Sequence, residues 1–554
     1  MGQTVQEATP TPVVTGTLAQ PPRPLPSDVP TVPRGYGPAE AIQAPGPTAY
    51  RDAELLKARE EDPLEALTIA DVVASVYSSF PTIEKARLQR RVASGQVLES
   101  YGAYDTKLQG YSLSEPTGFY RNFRNGIGVA RQTWWGGYVS AGWRIGRGDF
   151  QPWYKERETN EAGEFKVAFA QPLLQGRAID PQRVAVFQAS LATRAAEPGI
   201  QQAILETSRE AAYVFWQWVA AGAGVDAQRE LLKLAVERGK QYEFGVGAQF
   251  FREVDLIFNN QLIAERTAKA YEMQQKYQSS AIKLSMFLRD EAGRPIVPDF
   301  SWVPRHFPVI EPIGKRDLAK DYADAIARRP EIALLRLDAR SVQLEQQLAC
   351  NGLLPRVDLI AEASQDTGTP ASSSNDKGQF ELLMGIQGEV PIQRRKARGK
   401  ILQTQAKLQQ IARDRERAEN KIGIELQDAC YALVMAEQVV SQAEAALKAS
   451  IDTLSRFQFA FEEGYGKIDL IYINMLETKV TETELKLVDA QARWFVALAD
   501  MQAALALNPL DQAMTIARLP ESKRAGPGFL PAPTPVDPEE LKKEWEANAA
   551  PVQP

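Results

Sequence analysis

The chain has 554 residues with only one His and two Cys, a composition that excludes several classes of protein. A Ser-His-Asp triad would depend on His306 alone, and zinc sites of the Cys/His type lack ligands. A disulfide framework is excluded too, because Cys350 and Cys430 form at most one bridge. Lys and Arg number 64 against 70 Asp and Glu, so the net charge of −6 argues against a nucleic-acid partner.

Hydropathy predicts neither a transmembrane helix nor a secretory signal in the given sequence. No stretch approaches 18 consecutive apolar residues, so we expect no transmembrane helix. The strands of a membrane β-barrel are too short and too alternating for a hydropathy window, and they are not excluded. The first residues, MGQTVQEATPTPVV, contain neither a basic nor an apolar segment, so we expect no signal peptide in this sequence.

Prolines mark the two ends of the chain. Residues 1–50 contain 11 of the 36 prolines, and residues 520–554 contain 8. Such Pro-rich polar segments cannot bury enough apolar surface to offset the entropy of ordering. We therefore predict disordered or extended tails over 1–62 and 511–554.

Two windows without proline indicate long helices. Residues 199–294 and residues 392–508 contain no proline, which is costly inside a helix. The second window is rich in Ala, Leu, Gln, Glu and Lys, with apolar residues at helical spacing. It predicts a helix over about 394–462, on the order of 100 Å long, as in coiled coils and helical barrels.

The sequence repeats itself once. REVDLIF, from Arg252, parallels GKIDLIY, from Gly466, with an offset of 214 residues. ASVYSSFPTI, from Ala74, parallels ADAIARRPEI, from Ala323, with an offset of 249. In each long window a Gly-containing break precedes an Asp that can cap a new helix. Each window therefore predicts two helices joined by a turn, at about 245–255 and at about 463–469.

Alternating apolar and polar residues predict a β-hairpin in each half. The hairpins are predicted at about 135–172 and about 356–391, with strands of about ten residues, the length of membrane β-barrel strands. Each hairpin ends where a strand meets a proline and a helix follows, at Pro172 and at Pro391. Four strands cannot close a barrel alone, so oligomerisation is implied. The alternating positions are Val139, Ala141, Trp143, Ile145, Phe165, Val167, Phe169, Val357, Leu359, Ala361, Ala363, Phe380, Leu382, Met384 and Ile386.

The order of these features resembles the TolC family of outer membrane efflux proteins, the outer membrane factors of tripartite efflux and type I secretion systems. The resemblance is carried by RPEI at 329–332, LLPRVDL at 353–359, VPIQRRKARG at 390–399 and EGYGKIDLIYINMLET at 463–478. It covers about 65–510. It implies a mainly α fold with a small β part, a first repeat over 63–305, a linker over 306–317 and a second repeat over 318–510.

The resemblance also implies how the protein works. Members are homotrimers in which each subunit gives four strands to a 12-stranded β-barrel in the outer membrane of a Gram-negative-type bacterium. The helices form a trimeric α-helical barrel through the periplasm. There they meet a periplasmic adaptor, which links them to an inner-membrane pump of the RND, ABC or MFS type. Outer membrane lipid is a further implied partner. The channel exports small molecules or proteins passively, and it has no cofactor, no metal and no catalytic residue.

The two helix turns are the candidate site for the periplasmic aperture and the adaptor contact. Inward-pointing copies of Asp255 and Asp469 would form carboxylate rings that favour cations. The alternative is that each Asp only caps a helix. The candidate residues are Gly247, Arg252, Glu253, Asp255, Asn259, Gly464, Gly466, Lys467, Asp469, Tyr472 and Asn474.

A soluble coiled-coil scaffold is the alternative function. It accounts for the long helical windows and for the missing signal peptide. It does not account for alternating hairpins at equivalent places in the two halves. An enzyme is disfavoured, because no phosphate-binding GxxxxGK[ST] loop and no catalytic cluster are present.

Overall fold

The structure is a computed structural model that describes residues 66–150, 157–247, 252–290, 293–310, 314, 316–370, 378–463 and 470–517. Within these ranges the chain forms nine α-helices, two short 3₁₀ turns and one antiparallel sheet. The helices are α1 Ile69–Ser79, α2 Pro81–Tyr101, α3 Pro181–Gly247, α4 Glu253–Leu284, α5 Leu318–Arg328, α6 Pro330–Asn351, α7 Arg395–Glu462, α8 Leu470–Ala504 and α9 Pro509–Ala517. Of the described helices, none is both long enough and apolar enough to cross a membrane.

The parallel segments around Pro81 and Pro330 fold in the same way. In each, a helix of 11 residues is followed by one that begins at the proline. Proline is well placed there, because the first helical N–H has no intrahelical acceptor and its φ is already helical. α1 is also fixed at its start, where Thr68 Oγ1 accepts from the Asp71 N–H at 3.3 Å and Asp71 accepts from the Thr68 N–H at 2.9 Å.

The long helices extend further than the proline pattern alone indicates. The helix predicted over 394–462 is α7, Arg395–Glu462, with 68 residues. In the first half, α3 has 67 residues and continues through Pro198, which stood outside the predicted window. An internal proline costs about 3 kcal/mol. Here the helix is buried on both sides of it, at Ala196 and Ile200, and that packing opposes the break.

The main core lies where α1, α3, α8 and the segment after α4 meet. Trp216 of α3 stacks on Phe495 of α8 at 4.2 Å between ring centroids, and Phe307 packs on both rings. Gly222 allows Val303 to approach α3, because a Cβ there would lie 2.6 Å from a Val303 methyl. The predicted linker over 306–317 is therefore anchored to the helices at Phe307, which is buried.

The sheet has six strands in the order β1-β2-β3-β4-β5-β6, every pair antiparallel. The prediction of four strands per subunit is therefore wrong. β3–β4 and β5–β6 fall in the two predicted hairpin segments, whereas β1–β2 precede the first of them, where no strand was predicted. The strands are β1 Lys107–Glu115, β2 Asn122–Gln132, β3 Tyr138–Gly148, β4 Glu164–Pro172, β5 Arg356–Asp366 and β6 Phe380–Glu389.

The additional hairpin escaped prediction because its alternation is weak. β1 and β2 contain Gly and Ser at many positions, and only a few large apolar side chains (Leu108, Ile127 and Val129 among them) mark one face. In the described residues the second half has no counterpart to β1–β2 before β5. The two halves are therefore unequal at the sheet, and the predicted twofold repeat does not extend to it.

Part of the predicted C-terminal tail is helical. Residues 511–517 were assigned to a disordered tail, but they belong to α9. Asn508 begins this helix, accepting from the Leu510 N–H at 3.2 Å, and Pro509 takes the first helical position. The Tyr77 hydroxyl donates to Asn508 Oδ1 at 2.6 Å, and Ala513 is buried. The remaining parts of both predicted tails lie outside the described residues.

Candidate functional site

The register of the sheet places most of the large apolar side chains on one side, which we call the apolar face; Tyr111, Leu113 and Leu383 lie on the other. One row across all six strands contains only aliphatic side chains, and the next contains mainly large ones. Most of these side chains are exposed; Leu382 is 60% and Ile386 71% accessible. A soluble monomer rarely exposes so continuous an apolar patch. The exposed members are Leu108, Phe123, Ile127, Val129, Val139, Trp143, Phe165, Val167, Phe380, Leu382, Met384 and Ile386.

The opposite side, the polar face, is linked by charge pairs between neighbouring strands. Arg124 of β2 pairs with Glu115 of β1 at 2.7 Å. Arg144 of β3 pairs with Glu164 of β4, and Lys166 of β4 pairs with Glu362 of β5. From β2 to β6 the sheet is therefore amphipathic, with one side suited to an apolar medium and the other to water, whereas β1 contributes only Leu108 to the apolar face.

Three tryptophans lie on or beside strand β3. Trp143 is on the apolar face, and its indole N–H donates to Ala162 O at 2.9 Å. Trp134 and Trp135 occupy the β2–β3 turn at the helix-proximal end, where the Trp134 ring stacks on Tyr101 and packs at a tilt against Tyr104. Exposed aromatic rings at this boundary are typical of the membrane interface.

The strand-to-helix joints differ between the halves. Pro172 is the last residue of β4, but α3 begins only at Pro181. Pro391 lies two residues beyond β6, and α7 begins at Arg395 after Arg394, whose φ of 51° is left-handed. Pro391 is thus close to a strand-to-helix joint, whereas Pro172 only ends its strand.

The first helix turn joins α3, which ends at Gly247, to α4, which begins at Glu253. Asp255 is buried and accepts from the Arg252 backbone N–H and from its guanidinium, all at 3.2 Å. This geometry is that of a helix-capping carboxylate, the alternative considered for Asp255. Glu253 is exposed, and Asn259 is buried with its amide donating to Ala235 O of α3 at 3.3 Å.

The second turn is described only on its α8 side. Gly464, Gly466, Lys467 and Asp469 lie outside the described residues. Tyr472 is exposed, with its ring 5.0 Å from that of Phe457. Asn474 is buried, and its side-chain oxygen accepts from Arg238 of α3.

Asn474 belongs to a buried charged group that was not predicted, here called the Glu477 cluster: Arg238, Arg266, Asn474, Glu477 and Thr478. Both terminal nitrogens of the Arg238 guanidinium donate to the Glu477 carboxylate, Nη1 at 2.8 Å. Arg266 lies 3.8 Å from the same carboxylate and donates to Leu231 O at 2.9 Å. The cluster therefore fastens α3, α4 and α8 together near the turns.

The Glu477 cluster contains a guanidinium that is unusually costly to bury. Burial lowers the pKa of Arg266 to about 10, while the Glu477 carboxylate raises it and Arg238 lowers it. Without Glu477, two cationic side chains would share a dry site, which is strongly unfavourable.

The signal for the cluster was present in the heptad spacing. The buried residues of α4 are 255, 259, 266, 270, 277, 281 and 284, so that Arg266 occupies a seam position normally held by an apolar residue. On α8, Glu477 and Glu484 are seven residues apart and both lie on the buried seam. A charge at a seam position indicates a buried partner on a neighbouring helix.

Glu484 is the second buried carboxyl on this seam. Neither of its oxygens has a hydrogen-bond partner among the described residues. Burial, with a smaller contribution from the Asp226 carboxylate, raises the pKa of Glu484 from 4.5 to about 8. The folded chain therefore favours the neutral carboxyl, and its stability depends on pH.

Glu484→Gln is expected to stabilise the protein above neutral pH. The pKa of Glu484 is higher in the folded chain than in the unfolded chain. The neutral Glu484 carboxyl therefore contributes its full share of folding stability below pH 4.5, and this stability is lost as pH rises through about 8. At pH 8.5 the substitution raises the free energy of unfolding by at most about 5 kcal/mol, and near pH 4 it leaves this free energy unchanged. Thermal unfolding across this range measures it, with Glu482→Gln on the exposed side of α8 as the control. An equal shift at both pH values would contradict the assignment.

Comparison with known proteins identifies the fold. No protein-family model matches the sequence, and no curated protein matches it. Among solved structures, the Campylobacter jejuni CmeC outer membrane channel matches 89% of this chain and 95% of its own, with TM-score 0.55 and 10% identity. The open Neisseria gonorrhoeae MtrE outer membrane channel matches 80% and 89%, with TM-score 0.56 and 13% identity. The outer membrane protein VceC of Vibrio cholerae matches 79% and 96%, with TM-score 0.53 and 15% identity. The chain thus has the fold of these outer membrane channels, and the predicted TolC-like architecture is confirmed at that level.

Proposed function

We propose that the chain is the outer membrane exit duct of a tripartite efflux or type I secretion system. The observation that carries this proposal is the exposed apolar face, which crosses all six strands opposite an ion-paired polar face. Such a sheet suits lipid on one side and a water-filled lumen on the other. The fold shared with outer membrane channels supports the same function.

Three copies of the chain form the duct in this proposal. Their sheets close a β-barrel in the outer membrane of a Gram-negative-type bacterium, and their helices form a barrel in the periplasm. Each copy is divided into repeats over 63–305 and 318–510 with a linker over 306–317. A periplasmic adaptor connects the duct to an inner-membrane pump of the RND, ABC or MFS type. The duct itself is passive, and the pump supplies the energy for export of small molecules or proteins. The chain has no catalytic role of its own.

The helix turns form the adaptor contact and the aperture in this proposal. Large apolar side chains are exposed close to the turns, among them Phe244 at 79%, Val254 at 69%, Ile257 at 61% and Met475 at 61%. They suit docking of apolar residues from another protein. Gly247, Gly464 and Gly466 shape the turns, while Lys467 and Asp469 belong to the aperture. Asp255 acts mainly as a helix cap in this scheme, because its carboxylate is engaged by Arg252.

A soluble scaffold is the alternative, and the location of the protein distinguishes the two functions. The duct requires the full-length protein in the outer membrane fraction of its bacterium. Recovery in the cytosol would favour the scaffold, whose partners would then cover the apolar face.

A further inference from the structure

Side-chain contacts hold the first strand, β1, against β2. The Tyr111 ring lies over Gly126 of β2, where a Cβ would come within 2.6 Å of it. Glu115 accepts from the Asn122 amide at 3.1 Å and pairs with Arg124 at 2.7 Å. Covering a strand glycine with an aromatic ring and closing a charge pair fix the register of a hairpin. β1 therefore continues both faces of the sheet to its outer edge.

The two outer strands are the edges of the sheet. All nine residues of β1 are exposed, as are nine of the ten residues of β6. In the described part of the chain no strand pairs with the outer side of either. Long unpaired edges with apolar side chains are templates for pairing with another strand.

We propose that β1 of one copy pairs with β6 of the next, so that three copies close a barrel of eighteen strands instead of twelve. The number of copies rests on the proposed function, and the number of strands per copy rests on the sheet. Because six is even, β1 and the neighbouring β6 meet antiparallel, as every other pair in the sheet does.

The two edges are complementary in side chains as well as direction. On the apolar face, Leu108 of β1 would continue the series Leu382, Met384 and Ile386 of β6. On the polar face, Lys107 and Glu389 both lie at the helix-proximal end of their strands, so the junction brings opposite charges together. Cross-strand pairs of opposite charge stabilise a sheet, and like charges do not.

The arc of the barrel wall occupied by the helices of one copy is close to the arc that six strands occupy. In each copy α2, α3, α6 and α7 adjoin the sheet, and consecutive members of this series contact each other. Four helices packed about 8–10 Å apart occupy roughly 32–40 Å of circumference. Strands about 4.8 Å apart and tilted by roughly 40° occupy about 6.3 Å each, so six occupy about 38 Å and four only about 25 Å. The eighteen-stranded barrel continues the helical wall without narrowing.

Disulfide cross-linking between neighbouring copies tests this arrangement in the full-length protein in membranes. Cys350→Ser and Cys430→Ala remove the native thiols. Ser112→Cys in β1 is then combined with Leu382→Cys, Met384→Cys or Ile386→Cys in β6, all on the apolar face. Within one copy β1 and β6 are five strand spacings apart, about 24 Å, which prevents a bridge inside the chain. Ala141→Cys in β3, with the same partners, reports the twelve-stranded alternative.

After oxidation, at least one Ser112→Cys combination is expected to give dimers and trimers that a reductant dissolves, while Ala141→Cys combinations stay monomeric. Bridges from Ala141→Cys alone would overturn the eighteen-stranded barrel and leave the trimeric duct standing. If an amine-reactive cross-linker captures trimers but no cysteine pair forms a bridge, the eighteen-stranded barrel is likewise overturned and the trimeric duct stands. Absence of trimers with the amine-reactive reagent would overturn both the junction and the proposed duct.

Discussion

Glu477→Leu is expected to lower the free energy of unfolding by about 3–5 kcal/mol, which is among the largest effects of any single substitution in the helices. The Arg238 and Arg266 side chains are 13% and 3% exposed, and they share this carboxylate. Removing it leaves two cations in a dry site with no counter-charge. The thermal unfolding temperature, followed by circular dichroism, measures the loss.

Glu482→Leu is the matched control for Glu477→Leu. Its side chain is 52% exposed and lies 3.6 Å from Lys479, a surface pair that contributes about 0–1 kcal/mol. Changing all three charges together, with Arg238→Met, Arg266→Met and Glu477→Leu, should recover most of the stability, because no buried charge is left. Equal losses in Glu477→Leu and Glu482→Leu would show that the Glu477 cluster does not hold the three helices.

Met384→Lys is expected to prevent stable membrane assembly, whereas Leu383→Lys is tolerated. The two residues are adjacent in β6 and both are exposed, at 67% and 45%, but they lie on opposite faces of the sheet. A lysine on the lipid side costs roughly 2–4 kcal/mol near the midplane of the bilayer, and one in a water-filled lumen costs little.

The readout for the Met384→Lys pair is the amount of protein that stays in the membrane fraction after a urea wash. We expect a several-fold loss for Met384→Lys and a level close to the wild type for Leu383→Lys. The opposite order would place the polar face towards lipid and reverse the orientation of the sheet. Equal retention of both variants in the membrane fraction would contradict the proposal that the apolar face contacts lipid.

Local pattern was sufficient to predict much of the fold. The alternation of residues such as Val139 and Phe169, or Leu359 and Ile386, placed strands in two hairpin segments, and α7 was predicted almost to its ends. The repeated segments also share their local structure, since Pro81 and Pro330 are each the first residue of a helix. In these helices and strands the buried side chains recur with the period of the secondary structure, and that period can be read from a single sequence.

The missing parts depend on contacts between distant residues. β1 is stabilised by Tyr111 over Gly126 and by its charge pair with β2, not by its own alternation. The helix through Pro198 is held by packing, which overrides the local cost. Arg238 and Glu477 are 239 residues apart, so their pairing is visible only once α3 and α8 are placed side by side. The heptad spacing indicated that Arg266 and Glu477 needed partners, but not which ones.

Fractionation of the bacterium that makes this protein tests the central claim most directly. The full-length chain, separated with inner membrane, outer membrane and cytosolic markers, is expected in the outer membrane fraction as a species that amine-reactive cross-linking captures as a trimer. The same experiment with Met384→Lys should shift protein out of that fraction, with Leu383→Lys unchanged. Recovery of the wild-type chain as a cytosolic protein would contradict the duct and favour the scaffold.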